Sequence, residues 1–296
     1  MYACDATQRS SLSIAIFNCV MHAMAIDPVT DISDATYTGA LPAQQQAVPR
    51  DDPNFLPATM SANSLMLPVP QDGGTMHLFL KRHKSLFRNS FELCTACTMP
   101  NGKMVPNRTI ALVQRCLQQH HVSYKIFDAA ANVREGFHIG KLRSNFDASE
   151  FELFSAIANA AMTAVSVVDG KGRLRVGTMC YVKMKSERGQ PPRPLEAACT
   201  LQGPNGEKHE LRSINAVYDA NIKAFKIDYS GRQCKSKAVA PSSKNMRLEH
   251  DGVKVFDLIK LDKGTFSVEY QWPLTGLQAL GVALSRFGRS EHLMAS

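Results

Sequence analysis

From Thr75 onward the chain alternates short apolar runs with polar positions. Segments 77–84, 90–95, 109–118, 122–127, 136–145 and 150–154 read as strands. Segments 164–168, 174–183, 197–202, 216–219, 224–229, 253–261 and 265–270 continue the series. Turn chemistry punctuates them, in PNG at 100–102, DGKG at 169–172, GPNG at 203–206, DG at 251–252 and KG at 263–264. Many short strands at close spacing predict an all-β sandwich or barrel.

Residues 273–287 break this texture. Leu274, Leu277, Leu280, Leu284 and Phe287 form one stripe at helical spacing, and Ala279, Gly281, Val282 and Ala283 leave the remaining sides small or apolar. Gln278 and Arg286 are the strongly polar exceptions. Pro273 suits a first helical turn and Gly288 a C-terminal cap. A helix that is apolar nearly all round belongs inside something. A membrane-surface helix would carry Lys and Arg on a polar face, and this one does not. The pattern predicts a helix running through a barrel, with Leu277, Leu280, Leu284 and Phe287 in its core.

Residues 1–72 differ in kind. Pro recurs at 28, 42, 49, 53, 57, 68 and 70, beside the run Gln44, Gln45, Gln46. This composition does not repay the entropy of ordering, so 1–72 is expected to be a disordered tail or linker and 73–296 the domain. The apolar stretch 12–26, interrupted by Asn18 and His22, is shorter than the roughly 18 residues of a membrane span. A weakly amphipathic piece of the tail fits it better than a signal peptide.

Charge sharpens the division. The chain carries +8 and residues 1–72 carry −5, with Arg9 and Arg50 against seven Asp, so residues 73–296 carry +13. A domain this basic suits an anionic partner, either nucleic acid or an anionic membrane face. The eight Cys are scattered, as reduced thiols of a cytosolic or nuclear protein would be. Cys94 and Cys97 form a CxxC, but a closed zinc site needs two further ligands. His120 and His121 are adjacent and would point to opposite strand faces, so no metal is expected and buried thiols are the better account. There is no P-loop, GxGxxG, GxSxG or HExxH. Glu150 and Glu152 share a strand face without making a catalytic pair. An enzyme is not expected, and no cofactor is called for.

Three blocks are family-like. Residues 137–146 (FHIGKLRSNF), 215–232 (NAVYDANIKAFKIDYSGR) and 266–287 (FSVEYQWPLTGLQALGVALSRF), with 242–245 (SSKN) between the last two, resemble signatures of the tubby and tubby-like protein family. The blocks stand in family order across roughly 75–290. The resemblance implies a closed antiparallel barrel of about twelve strands around a hydrophobic C-terminal helix. It also implies recognition of phosphatidylinositol bisphosphate at the inner leaflet of the plasma membrane, an adaptor or trafficking role with a protein cargo, a cytoplasmic or nuclear location, and a monomer. Plant members often carry an F-box, and residues 1–72 show no such pattern.

The same resemblance points to residues. Lys141 and Arg143 flank Leu142 and share a strand face, and the family's phosphate-contacting Arg maps onto Arg143. Arg115 matches the first basic position of a second cluster, while Leu117 and Gln118 stand where further cations are expected. His120, His121 and Lys125 are the nearest substitutes, and the histidines would help most below about pH 6.5. A third group, Lys81 to Lys84 with Arg88, matches a first strand and loop that some members use. Arg can grip a phosphate bidentately and Lys acts as a point charge. The alternative is nucleic-acid binding by the same basic face, although few aromatic residues are placed for base stacking. Phospholipid scramblases have a similar fold, but their calcium-linked and Cys-rich features are missing.

Overall fold

A computed structural model of the chain describes residues 63–84, 89–118, 121–130, 138–156, 173–185, 191, 194–203, 205–221, 223–229, 239–240 and 242–295. Most of the expected tail, the segment 164–168, Arg88, His120 and the pair Gly231-Arg232 lie outside the described residues. Strands β1 to β7 are Met76–Lys84, Asn89–Thr98, Met104–Gln118, His121–Asp128, Gly140–Ser144, Glu150–Ser155 and Leu174–Val182. Strands β8 to β14 are Glu196–Gln202, Lys208–Ser213, Val217–Asp219, Ala224–Lys226, Met246–His250, Val253–Asp262 and Thr265–Tyr270, and helix α1 is Gly276–Ala295.

Twelve strands close into one barrel in the order β1-β14-β13-β12-β9-β8-β7-β6-β5-β4-β3-β2, each pairing antiparallel. Closure removes every unpaired edge of the barrel, and β10 and β11 form a separate two-stranded sheet. A barrel of eight strands is filled by its own side chains, whereas larger ones enclose a lumen. Here α1 fills it, and Leu277, Leu280, Leu284 and Phe287 are at most 1% exposed. The helix fits because its small residues let the wall approach. A Cβ on Gly281 would meet Leu153 at 2.7 Å, and one on Gly288 would meet Phe151 and Val122 at 2.9 Å.

The helix differs from expectation at both ends. It begins at Gly276, not Pro273, because Thr275 and Gln278 form a capping box. The Gln278 amide N–H donates to Thr275 Oγ1 at 3.1 Å, and the Thr275 N–H donates to Gln278 Oε1 at 2.9 Å. It also runs past Gly288 to Ala295, since Gly288 serves as the close-approach point to Phe151 and not as a cap. Gln278 is 1% exposed, and its Nε2 donates to the carbonyls of Val176 (2.9 Å) and Gln202 (2.8 Å), pinning the helix to β7 and β8.

Two strands went unread in the sequence. In β9 His209 and Leu211 are the buried positions, and in β12 Met246, Arg247 and Leu248 are all buried. Leu211 is the one apolar residue of β9, and β12 is a short strand with only two apolar residues, Met246 and Leu248. The expected boundary at 72/73 falls inside packed structure, because Leu65 is fully buried and Pro68 bridges to Thr275.

A second layer lies outside the barrel. Phe79, Cys94, Ala96, Ile259 and Leu261 form an outer apolar cluster with Met104, Tyr229 and Val239. Beside it runs a buried charged row. Arg247 grips Asp257 through two hydrogen bonds of 2.7 and 2.8 Å. Lys254 lies 3.5 Å from Asp257 and 3.6 Å from Glu269, and His77 lies 3.6 Å from Glu269. Burial lowers the His77 pKa to about 4 against the pull of Glu269, so this imidazole is neutral at pH 7.

Candidate functional site

Strand parity decides which cations meet. Leu142 is fully buried against the lumen, so Lys141 and Arg143 project outward from β5. In the pairing of β4 with β5, Lys125 stands directly opposite Lys141. In the next ladders Lys141 faces Phe154, Arg143 faces Glu152, and Phe154 faces Arg175. One outer row therefore reads Lys125, Lys141, Phe154, Arg175 across four strands. Arg173, two residues before Arg175, extends it and lies 3.5 Å from His138 Nε2.

These groups act on one another. Burial lowers the Lys141 pKa below the ordinary lysine value. The positive charges of Arg173, Arg143 and Lys125 lower it further, while Cys116 acts in the opposite direction. Glu152 partly offsets the crowd, reaching Arg143 at 3.1 Å and Arg175 at 3.0 Å. Phe154 forms an apolar floor at 5% exposure, with the Arg143 guanidinium 5.9 Å from its ring centre. Such a wall can hold an anion with several phosphates, because incoming negative charge relieves the repulsion that the fold tolerates.

The other expected cations lie elsewhere. Arg115 pairs in register with Tyr124, a fully buried lumen residue, so it belongs to the inner phase of β3. Lys81 projects outward from β1 opposite Glu92 and Thr265, with β2 and β3 between it and the wall. Arg88 is outside the described residues. Arg173 and Arg175 are the residues that sequence reasoning missed. They flank Leu174 as Lys141 and Arg143 flank Leu142, so the same two-residue spacing marked them.

A cavity of about 260 Å³ lies near the start of the helix, lined by Gln71, Gly74, His250, Asp251, Val253, Val255, Gln271 and Trp272. It offers no Lys or Arg and suits a phosphate poorly. Among the described residues no helix is long and apolar enough to cross a membrane.

The described residues thus form a closed β-barrel threaded by its own C-terminal helix, with a basic outer wall. Residues 179–289 match the model of the Tub family, so the stretch from β7 through α1 carries the tubby signature. Tubby domains are known generally as non-enzymatic, lipid- and phosphoinositide-binding domains that associate with membranes from the cytoplasm. The matched stretch begins four residues after Arg175. The wall therefore precedes it and stands on its own geometry.

Proposed function

We propose that the wall formed by Lys125, Lys141, Arg143, Arg173 and Arg175 binds the head group of a phosphatidylinositol bisphosphate. The domain docks reversibly on the inner leaflet of the plasma membrane, without catalytic turnover, as an adaptor for a protein cargo. The observation that carries this reading is the pair Lys125 and Lys141, set directly opposite each other. Like charges so placed destabilise a sheet, and here three arginines crowd the same spot. A structural role for this cluster would favour alternating charge. Phosphates at the wall would be gripped by Arg143, Arg173 and Arg175 and neutralised by the two lysines.

Vesicle sedimentation tests the proposal. Wild-type protein should pellet with vesicles containing phosphatidylinositol bisphosphate more than with phosphatidylserine vesicles of equal charge. Lys141→Ala with Arg143→Ala should remove the difference. Equal pelleting with both lipids, together with a gel shift on nucleic acid of steep salt dependence, would show instead a general polyanion-binding protein.

A further inference from the structure

The turn between β5 and β6 carries a largely exposed aromatic side chain. Phe146 is 66% exposed, and it is the one aromatic among the large exposed apolar residues described. A single exposed apolar residue is ordinary, but three features set this one apart.

The first is rigidity. Asn145 Nδ2 donates to Ser149 Oγ at 3.0 Å, and the Glu150 N–H donates to Asn145 Oδ1 at 3.0 Å. The Ser149 hydroxyl donates to Asp147 Oδ1 at 2.7 Å, and the Tyr181 N–H donates to the Ser149 carbonyl at 2.7 Å. Arg289, from the end of α1, donates to the Asp147 carbonyl. The turn is therefore tied to itself, to β7 and to the helix, so little entropy remains to be lost when the ring is buried.

The second is position. Phe146 follows Arg143 by three residues, a span of at most about 11 Å of chain. An interfacial apolar group sits roughly 5–10 Å into the boundary between head groups and acyl chains. With phosphates held at Arg143, Phe146 reaches that depth.

The third is company. Val182, 56% exposed, ends the neighbouring β7, and exposed Lys183 and Lys185 follow it. An apolar tip rimmed by lysines matches an anionic bilayer, with apolar groups below the phosphates and cations level with them.

We infer that Phe146, assisted by Val182, inserts into the bilayer when the wall binds its lipid, so that the barrel meets the membrane with the end where the helix C-terminus lies. This rests on the lipid reading of the wall but is a separate contact, made to the acyl region and not to the head group. Phe146→Ala and wild type would be compared on vesicles containing phosphatidylinositol bisphosphate and, by calorimetry, on the soluble head group alone. Vesicle affinity should fall about tenfold, and head-group affinity should change less than about twofold. A second variant, Phe146→Trp in a Trp272→Phe background, should show a blue shift and quenching by brominated lipid. Unchanged vesicle affinity, or a tryptophan that brominated lipid does not quench, overturns insertion while leaving the wall in place. A wild type that prefers neither the lipid nor its head group overturns both.

Discussion

Replacing Gln278 by Leu tests how the helix is held. Among the described residues Gln278 is one of four buried polar side chains of α1, with Ser285, Arg286 and Arg289, and it makes three side-chain hydrogen bonds. Nε2 donates to Val176 and Gln202, and Oε1 accepts from Thr275. Leucine fills a similar volume, so the perturbation is chiefly loss of these bonds. Each is worth about 1 kcal/mol net, giving about 3 kcal/mol in total. For a domain of this size 1 kcal/mol moves Tm by roughly 2–4 °C, so Gln278→Leu should melt about 6–12 °C lower. Thr275→Ala removes one cap contact and should cost about 1 kcal/mol. Circular dichroism melts and urea titrations of the three proteins read both values. A Gln278→Leu protein that melts within 2 °C of wild type, or a Thr275→Ala cost equal to or larger than that of Gln278→Leu, would refute the polar anchor.

Two more predictions concern buried charge. Arg286 is 3% exposed, its Nε and Nη1 meet no acceptor among the described residues, and its guanidinium lies over the Tyr181 ring at 5.8 Å, so Arg286→Met should stabilise the fold by about 1–3 kcal/mol; a lower urea midpoint would show that the contact with Tyr181 outweighs that cost. His77 is neutral in the fold, with its pKa lowered to about 4. The unfolded imidazole takes up a proton near 6.5, so its contribution is complete above that pH and is lost as pH falls toward 4. Between pH 7 and 5 the loss is about 2 kcal/mol, and His77→Gln should flatten that part of the stability profile measured by urea denaturation; a parallel profile would place the dependence elsewhere.

The sequence made some of this legible and hid the rest for identifiable reasons. The threaded helix could be read because a segment apolar on every side has few places to go. The outward pair Lys141 and Arg143 could be read because Leu142 between them fixes the parity. Arg115 could not be placed, since Ile110, Ala111, Leu112 and Val113 are all apolar and give no alternation; the structure buries Ala111 and Val113 and so puts Arg115 in the inner phase. The meeting of Lys125 with Lys141 depends on the β4–β5 register, a long-range pairing that composition does not encode. Arg173 and Arg175 carry the same spacing signal as Lys141 and Arg143, yet only the closing of β6 onto β7 shows that both pairs share one wall. The strand β9 escaped because one of its two inward residues is the polar His209, held by Trp272 and His250 at ring distances of 5.3 Å.

Binding through this wall, and not through the domain's overall charge, makes a direct prediction. Calorimetric titration with the soluble head group of phosphatidylinositol bisphosphate tests this most directly, with wild type, Lys141→Ala/Arg143→Ala and a control of equal charge loss away from the wall, Lys81→Ala on β1 with Lys260→Ala on β13. Two lost charge-assisted contacts should weaken binding by more than about tenfold in the wall variant, and the control should stay within about twofold. Equal weakening in both variants, or none in either, would show that the wall is not the binding site.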